Sequence, residues 1–184
     1  MLTQEINIPK VLHELHGEKA RLSSLLLVYL TAMVVGGIAL WQMVPLELPV
    51  WKVILAVIIF LDIGGGVTAN LTSSTNQYYQ RKVRLRPIFL AMHVVHPLLL
   101  MLVFPQNVWF LLFVMIYTLG SAFGVNLIKD QEMQQTAAGA LVAVGVCLVV
   151  LFPVSFAILY VFAPLFMAKL ILGFAVRRPD FEVE

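Results

Sequence analysis

The chain has 184 residues with 12 Lys and Arg against 10 Asp and Glu, a formal net charge of +2. Hydrophobic residues make up 61% and charged residues 12%, with a mean hydropathy of +0.94. Apolar blocks of this length exclude an ordinary soluble domain, and a charge this small gives no reason to invoke nucleic acid. The expected class is an all-α, polytopic integral membrane protein, a bundle of six transmembrane helices in contact with the lipid bilayer.

Residues 1–22 form a polar N-terminal segment. Within it Pro9 to Arg21 predicts a short helix on the membrane surface, with Val11, Leu12, Leu15 and Leu22 on one side. His13 and His16 lie there among Glu14, Glu18 and Lys19, as solvated surface residues. The following apolar segment is too long for a signal-peptide core and lacks a small-residue cleavage pattern, so it is expected to stay as the first helix.

A span needs roughly 20 apolar residues to cross a core about 30 Å thick. Six segments between residues 23 and 176 meet or approach that: Ser23 to Val44, Pro49 to Leu71, Pro87 to Phe104, Val108 to Leu127, Thr136 to Phe152 and Ser155 to Val176. The last two are separated only by Pro153 and Ser155, which suits a tight hairpin, and Pro164 predicts a kink in the sixth. Residues 177–184 are the tail. Basic residues gather before the first span, between the second and third, after the fourth and after the sixth, so both termini are expected on the cytoplasmic side of a plasma or inner membrane. Trp41, Trp51 and Trp109 fall near the opposite interface, as in an aromatic belt. Cys147, the single cysteine, is expected as a buried packing residue and can form no intrachain disulfide.

Three ionisable residues interrupt the hydrocarbon-facing pattern. Asp62 lies in the second span, too deep for its short side chain to reach either interface, above the small residues Gly64, Gly65 and Gly66 and the polar Asn70. His93 and His96 lie in the third at i, i+3 spacing, about 60° apart on the helix wheel, so both imidazoles can face one cavity. Pro97 removes the usual partner of the His93 carbonyl. Two imidazoles and a carboxylate from an adjacent antiparallel helix are a plausible ligand set for zinc or iron. Such residues inside a membrane mark a functional site when a partner or cavity exists.

Further candidates for substrate binding are Asn70, Tyr117, Ser121 and Lys169. Tyr117, Ser121 and Gly124 share one face of the fourth helix, and Gly120 with Gly124 would permit close packing. Lys169 is expected to snorkel to the basic end, the alternatives being a pair with Asp62 or an anionic headgroup. Three functions follow. Asp62, His93 and His96 could serve a metal-dependent membrane hydrolase acting on a lipid or other hydrophobic small molecule. They could titrate in turn in a proton- or ion-coupled carrier, for which a homo-oligomer would supply a second half. Or a histidine could ligate haem in a haem- or quinone-binding redox protein.

Overall fold

A computed structural model describes residues 4–178. Its elements in chain order are β1 (Glu5–Asn7), α1 (His13–His16), β2 (Lys19–Arg21), α2 (Leu22–Met43), α3 (Val50–Leu71), α4 (Ser73–Arg81), α5 (Leu85–Met92), α6 (Val95–Val103), α7 (Val108–Leu127), α8 (Gln131–Val149) and α9 (Ile158–Met167), the last running into a π-helical segment over Ala168–Phe174. The chain is an all-α bundle apart from one short hairpin. Among the described residues five helices are long and apolar enough to cross a membrane: Leu22–Leu46, Val50–Leu71, Leu85–Val103, Pro105–Leu127 and Gln131–Val149.

The sixth expected span departs from its predicted length. In place of Ser155 to Val176 the apolar helix covers Ile158–Phe174, about 25 Å at 1.5 Å per residue. Two prolines account for this. Pro153 delays the start, and Pro164 lies inside α9, where its missing N–H leaves a carbonyl unpaired one turn back. Four residues later the helix widens to i→i+5 bonding, as in Ala175 N–H to Leu170 O at 2.9 Å. This helix is also the most enclosed. Leu159, Phe162, Phe166, Met167, Leu170 and Ile171 are fully buried, as expected of a helix that is hydrophobic all round and packs against neighbours on every side.

Glycines set the spacing of α2 and α3. A Cβ on Gly64 would lie 2.6 Å from the Val35 Cβ, and one on Gly36 would lie 2.5 Å from Leu61 Cδ2, so the two backbones approach only because both positions lack side chains. Gly120 and Gly124 do not play the expected packing role within this chain, since a side chain at either would meet nothing within 4 Å. Cys147 is exposed, which corrects its expected burial: α8 is an outer helix, with only 22% of its apolar window buried. Trp41, Trp51 and Trp109 are exposed at one end of the bundle.

The N-terminal segment is not the expected surface helix from Pro9 to Arg21. Only His13–His16 is α-helical, and it is clasped by β1 and β2, paired antiparallel with Glu5 opposite Arg21. Gly17, at φ 76°, ends the helix; a Cβ there would strike the Ser74 carbonyl. The polar run after α3 supplies the grip. Thr72 caps α4, Ser74 Oγ donates to His16 O at 2.7 Å, and Thr75 Oγ1 donates to Leu15 O at 3.0 Å. His16 is therefore buried at 3% exposure rather than solvated, with Nε2 3.0 Å from the Tyr29 hydroxyl. His13 donates from Nε2 to Ile8 O at 2.8 Å.

Burial lowers the pKa of His16 below its ordinary value, because desolvation disfavours the imidazolium. The neutral ring is thus the folded form. Its contribution is complete above the unfolded value of about 6.5 and declines as pH falls towards the lower folded value. The protection factors of α1 and β2 amides, exchange rates corrected for the intrinsic fall with pH, are expected to decrease from pH 7 to 5 in the wild type and to lose that dependence in His16→Phe. Equal pH dependence in both proteins would refute the assignment.

Candidate functional site

Asp62 sits in the middle of α3, where the helix presents its carboxylate to His96 of the broken α5–α6 pair and to Lys169 of the π segment. The break is local chemistry. Pro97 offers no N–H to the His93 carbonyl, and the turn tightens so that His93 N–H bonds Leu90 O at 3.2 Å and Val94 N–H bonds Ala91 O at 3.1 Å. The Phe89 carbonyl, released from its helical partner, accepts the His93 Nδ1 proton at 2.7 Å. That bond fixes the tautomer and leaves Nε2 of His93 as a lone-pair donor. His93 is 6% exposed, with the Phe89 ring 4.4 Å away between centroids.

His96 lies one turn on, its ring parallel to His93 within 17° at 5.0 Å between centroids. Its Nε2 meets Asp62 Oδ2 at 2.8 Å, while its Nδ1 is buried without a hydrogen-bond partner. One donor atom from each of Asp62, His93 and His96 falls within 4.8 Å of the others. Zinc bonds of about 2.0–2.1 Å put tetrahedral donors about 3.4 Å apart, so the three side chains must draw in by more than about an ångström to close on an ion.

Lys169 does not snorkel. Its side chain is 3% exposed and its Nζ lies 2.5 Å from the same Asp62 Oδ2, with a second bond to the Asp62 carbonyl at 3.3 Å. The lysine reaches Asp62 because Gly66, one turn along α3, leaves room: a Cβ there would lie 2.7 Å from Nζ. Asn70 Nδ2 donates to the Lys169 carbonyl at 3.1 Å, which pins the π segment at the position of the lysine. A buried ammonium is tolerated here because its charge is matched at contact distance.

The other end of the π segment is held by Arg86, one of the basic residues between the second and third expected spans. Arg86 is buried, 2% exposed. It donates from Nη2 to Phe174 O at 2.8 Å and Ala175 O at 3.1 Å, and from Nε to Asn126 Oδ1 at 2.9 Å. Asn76 Nδ2 adds a bond to Val176 O at 3.0 Å. Arg177 and Arg178 are drawn into the same end: Arg177 N–H donates to Gln134 Oε1 at 2.7 Å, and Arg178 N–H to Asn76 Oδ1 at 3.0 Å. The expected tail beyond them, residues 179–184, lies outside the described residues. The sequence signal for Arg86 is its i, i+7 spacing from His93, which places both on one helix face.

Four predicted residues thus converge: Asp62, His93, His96 and Lys169, with Asn70 behind them. Tyr117 and Ser121 lie elsewhere on α7. The Tyr117 hydroxyl donates to Leu141 O on α8 at 2.6 Å, and among the described residues no hydrogen bond links either to Asp62. No family model, curated protein or solved structure matches this chain. The site therefore stands on its own geometry: a carboxylate, two imidazoles and a buried ammonium brought together by apolar helices.

Proposed function

We propose that this chain is a metal-dependent membrane enzyme, a hydrolase whose divalent ion, zinc or iron, is held by Asp62, His93 and His96, and whose substrate is a lipid or other hydrophobic molecule. The observation that carries this reading is the convergence of three donor atoms within 4.8 Å, together with the ring of His93 oriented by a carbonyl. Orientation of a ligand imidazole through its second nitrogen is the usual supporting contact of metal sites. The ion would supply a bound water of lowered pKa and a Lewis acid. Lys169 would place a positive charge where an oxyanion develops, and Asn70 keeps the lysine backbone in position. Tyr117 and Ser121 take no part.

Access from the bilayer supports a hydrophobic substrate. Ile58, one turn from Asp62 on α3, and Met92, next to His93 at the end of α5, are 57% and 62% exposed, so apolar side chains flank the site on the outside of the bundle. In vesicles carrying a panel of ester- and amide-linked lipids, the protein is expected to release product, to stop with chelator and to resume when zinc or iron is restored. Turnover that survives complete metal removal would sink the reading.

A carrier is favoured by one specific observation, the sharing of Asp62 Oδ2 between Lys169 and His96. Such a chain of titratable groups could pass a proton. Reconstituted protein that dissipates a pH gradient, and loses this in His96→Gln, would move the assignment there. Haem receives less support, since two parallel imidazoles 5.0 Å apart on one helix face cannot enclose a porphyrin between them.

A further inference from the structure

A cleft lies away from Asp62, at the end of the bundle where α2 begins and α3 ends. It has a volume of about 700 Å³ and is walled by the β1–β2 hairpin on one side and α4 on the other. That size falls within the range of about 300–1,000 Å³ typical of ligand pockets. Its lining divides into a charged zone of both signs, a hydroxyl zone and an apolar zone. Lys19, Arg21 and Arg81 bring positive charge, Glu5 and Glu18 bring negative charge, and hydroxyls from Ser24, Thr68 and Ser73 cover the floor.

The third zone is apolar. Leu27 and Leu71 belong to the cleft wall and are 56% and 40% exposed, so they continue its surface down α2 and α3 into the hydrocarbon. A soluble ligand has no use for that continuation, whereas a lipid with its headgroup in the cleft lays its chains along it. The charges select among headgroups. Arg81 pairs with Glu18 only at 3.9 Å, with side chains 70% and 54% exposed, and among the described residues Glu5 makes no ion pair. A purely anionic headgroup would satisfy the basic residues but place its charge beside both carboxylates, at a repulsive cost. A headgroup carrying phosphate and a primary ammonium satisfies both signs, the ammonium donating three hydrogen bonds to carboxylate oxygens.

We propose that this cleft is a binding site for a zwitterionic aminophospholipid of the phosphatidylethanolamine class, with phosphate towards Lys19, Arg21 and Arg81 and ammonium towards Glu5 and Glu18. The inference does not depend on the metal reading, and its residues are separate from Asp62, His93 and His96. Retention by native mass spectrometry would be measured after exchange into equimolar phosphatidylethanolamine, phosphatidylcholine and phosphatidylglycerol of identical chains. Phosphatidylethanolamine is expected to be retained at least fivefold over either competitor. The Glu5→Gln/Glu18→Gln variant should lose the preference over phosphatidylcholine, and Arg21→Gln/Arg81→Gln should lower retention of all three. Equal retention of the three lipids by wild type, a preference for phosphatidylglycerol, or a preference untouched by the glutamate variant would each overturn the proposal. Displacement of the bound lipid by millimolar glycerophosphoethanolamine alone would also overturn it, since that would make the cleft a site for a soluble headgroup.

Discussion

Asp62→Ala is expected to destabilise the folded bundle by about 3 kcal/mol, and adding Lys169→Met is expected to recover most of that loss. The single substitution leaves the Lys169 ammonium, 3% exposed, without its counter-charge, and breaking a buried pair from one side costs about 3–5 kcal/mol. The lower end applies because the Asp62 side chain keeps 39% of its surface. Methionine has nearly the volume of lysine and no charge, so the double variant removes the orphan ion and keeps the packing beside Gly66. Denaturant or thermal unfolding of the four proteins of the cycle reads the coupling directly. Additive losses would mean that the pair is not formed in the membrane. Both Asp62 variants should be inactive under the metal reading, so activity and stability separate cleanly: the double variant folds and does not turn over.

Arg86→Ala is expected to be as damaging to the fold, by about 3–5 kcal/mol, for a different reason. Its guanidinium satisfies the carbonyls of Phe174 and Ala175 at the end of the π segment and the Asn126 side chain. Hydrogen bonds to a charged group contribute about 1.5–3 kcal/mol each, with incomplete additivity. Carbonyls left unpaired in a buried position add their own penalty. Arg86→Lys should recover less than half, since one ammonium cannot reproduce the planar fork that serves α7 and the π segment together. The check is the unfolding midpoint of purified protein beside its metal content. Arg86→Ala that unfolds like wild type would show the brace to be dispensable.

The membrane bundle and the meeting of Asp62 with the two histidines were legible for a common reason. Both rest on short-range periodicity: apolar length defines a span, and i, i+3 spacing puts two rings on one face opposite the antiparallel neighbour. What escaped was decided by distant packing. Lys169 is 107 positions from Asp62, and a lysine near a helix end reads as one that snorkels until Gly66 is known to lie against it. Arg86 read as topology, because a loop arginine and an arginine buried against the end of another helix have the same neighbours in sequence. The hairpin of Glu5–Asn7 with Lys19–Arg21 uses three-residue strands, too short for an alternation to register. The shortened sixth helix was half legible: Pro153 and Pro164 marked the disturbance, while the π geometry that holds Lys169 depends on Asn70 and Arg86 from other helices.

The central claim is that Asp62, His93 and His96 hold a metal ion, and elemental analysis tests it most directly. Protein purified in mild detergent without chelator should carry close to one zinc or iron per chain, and the His93→Ala/His96→Ala variant, folded by its unfolding midpoint, should carry almost none. Wild-type protein without metal, still unbound after dialysis against either ion, would contradict the account and leave the Asp62, Lys169 and His96 chain as a proton path.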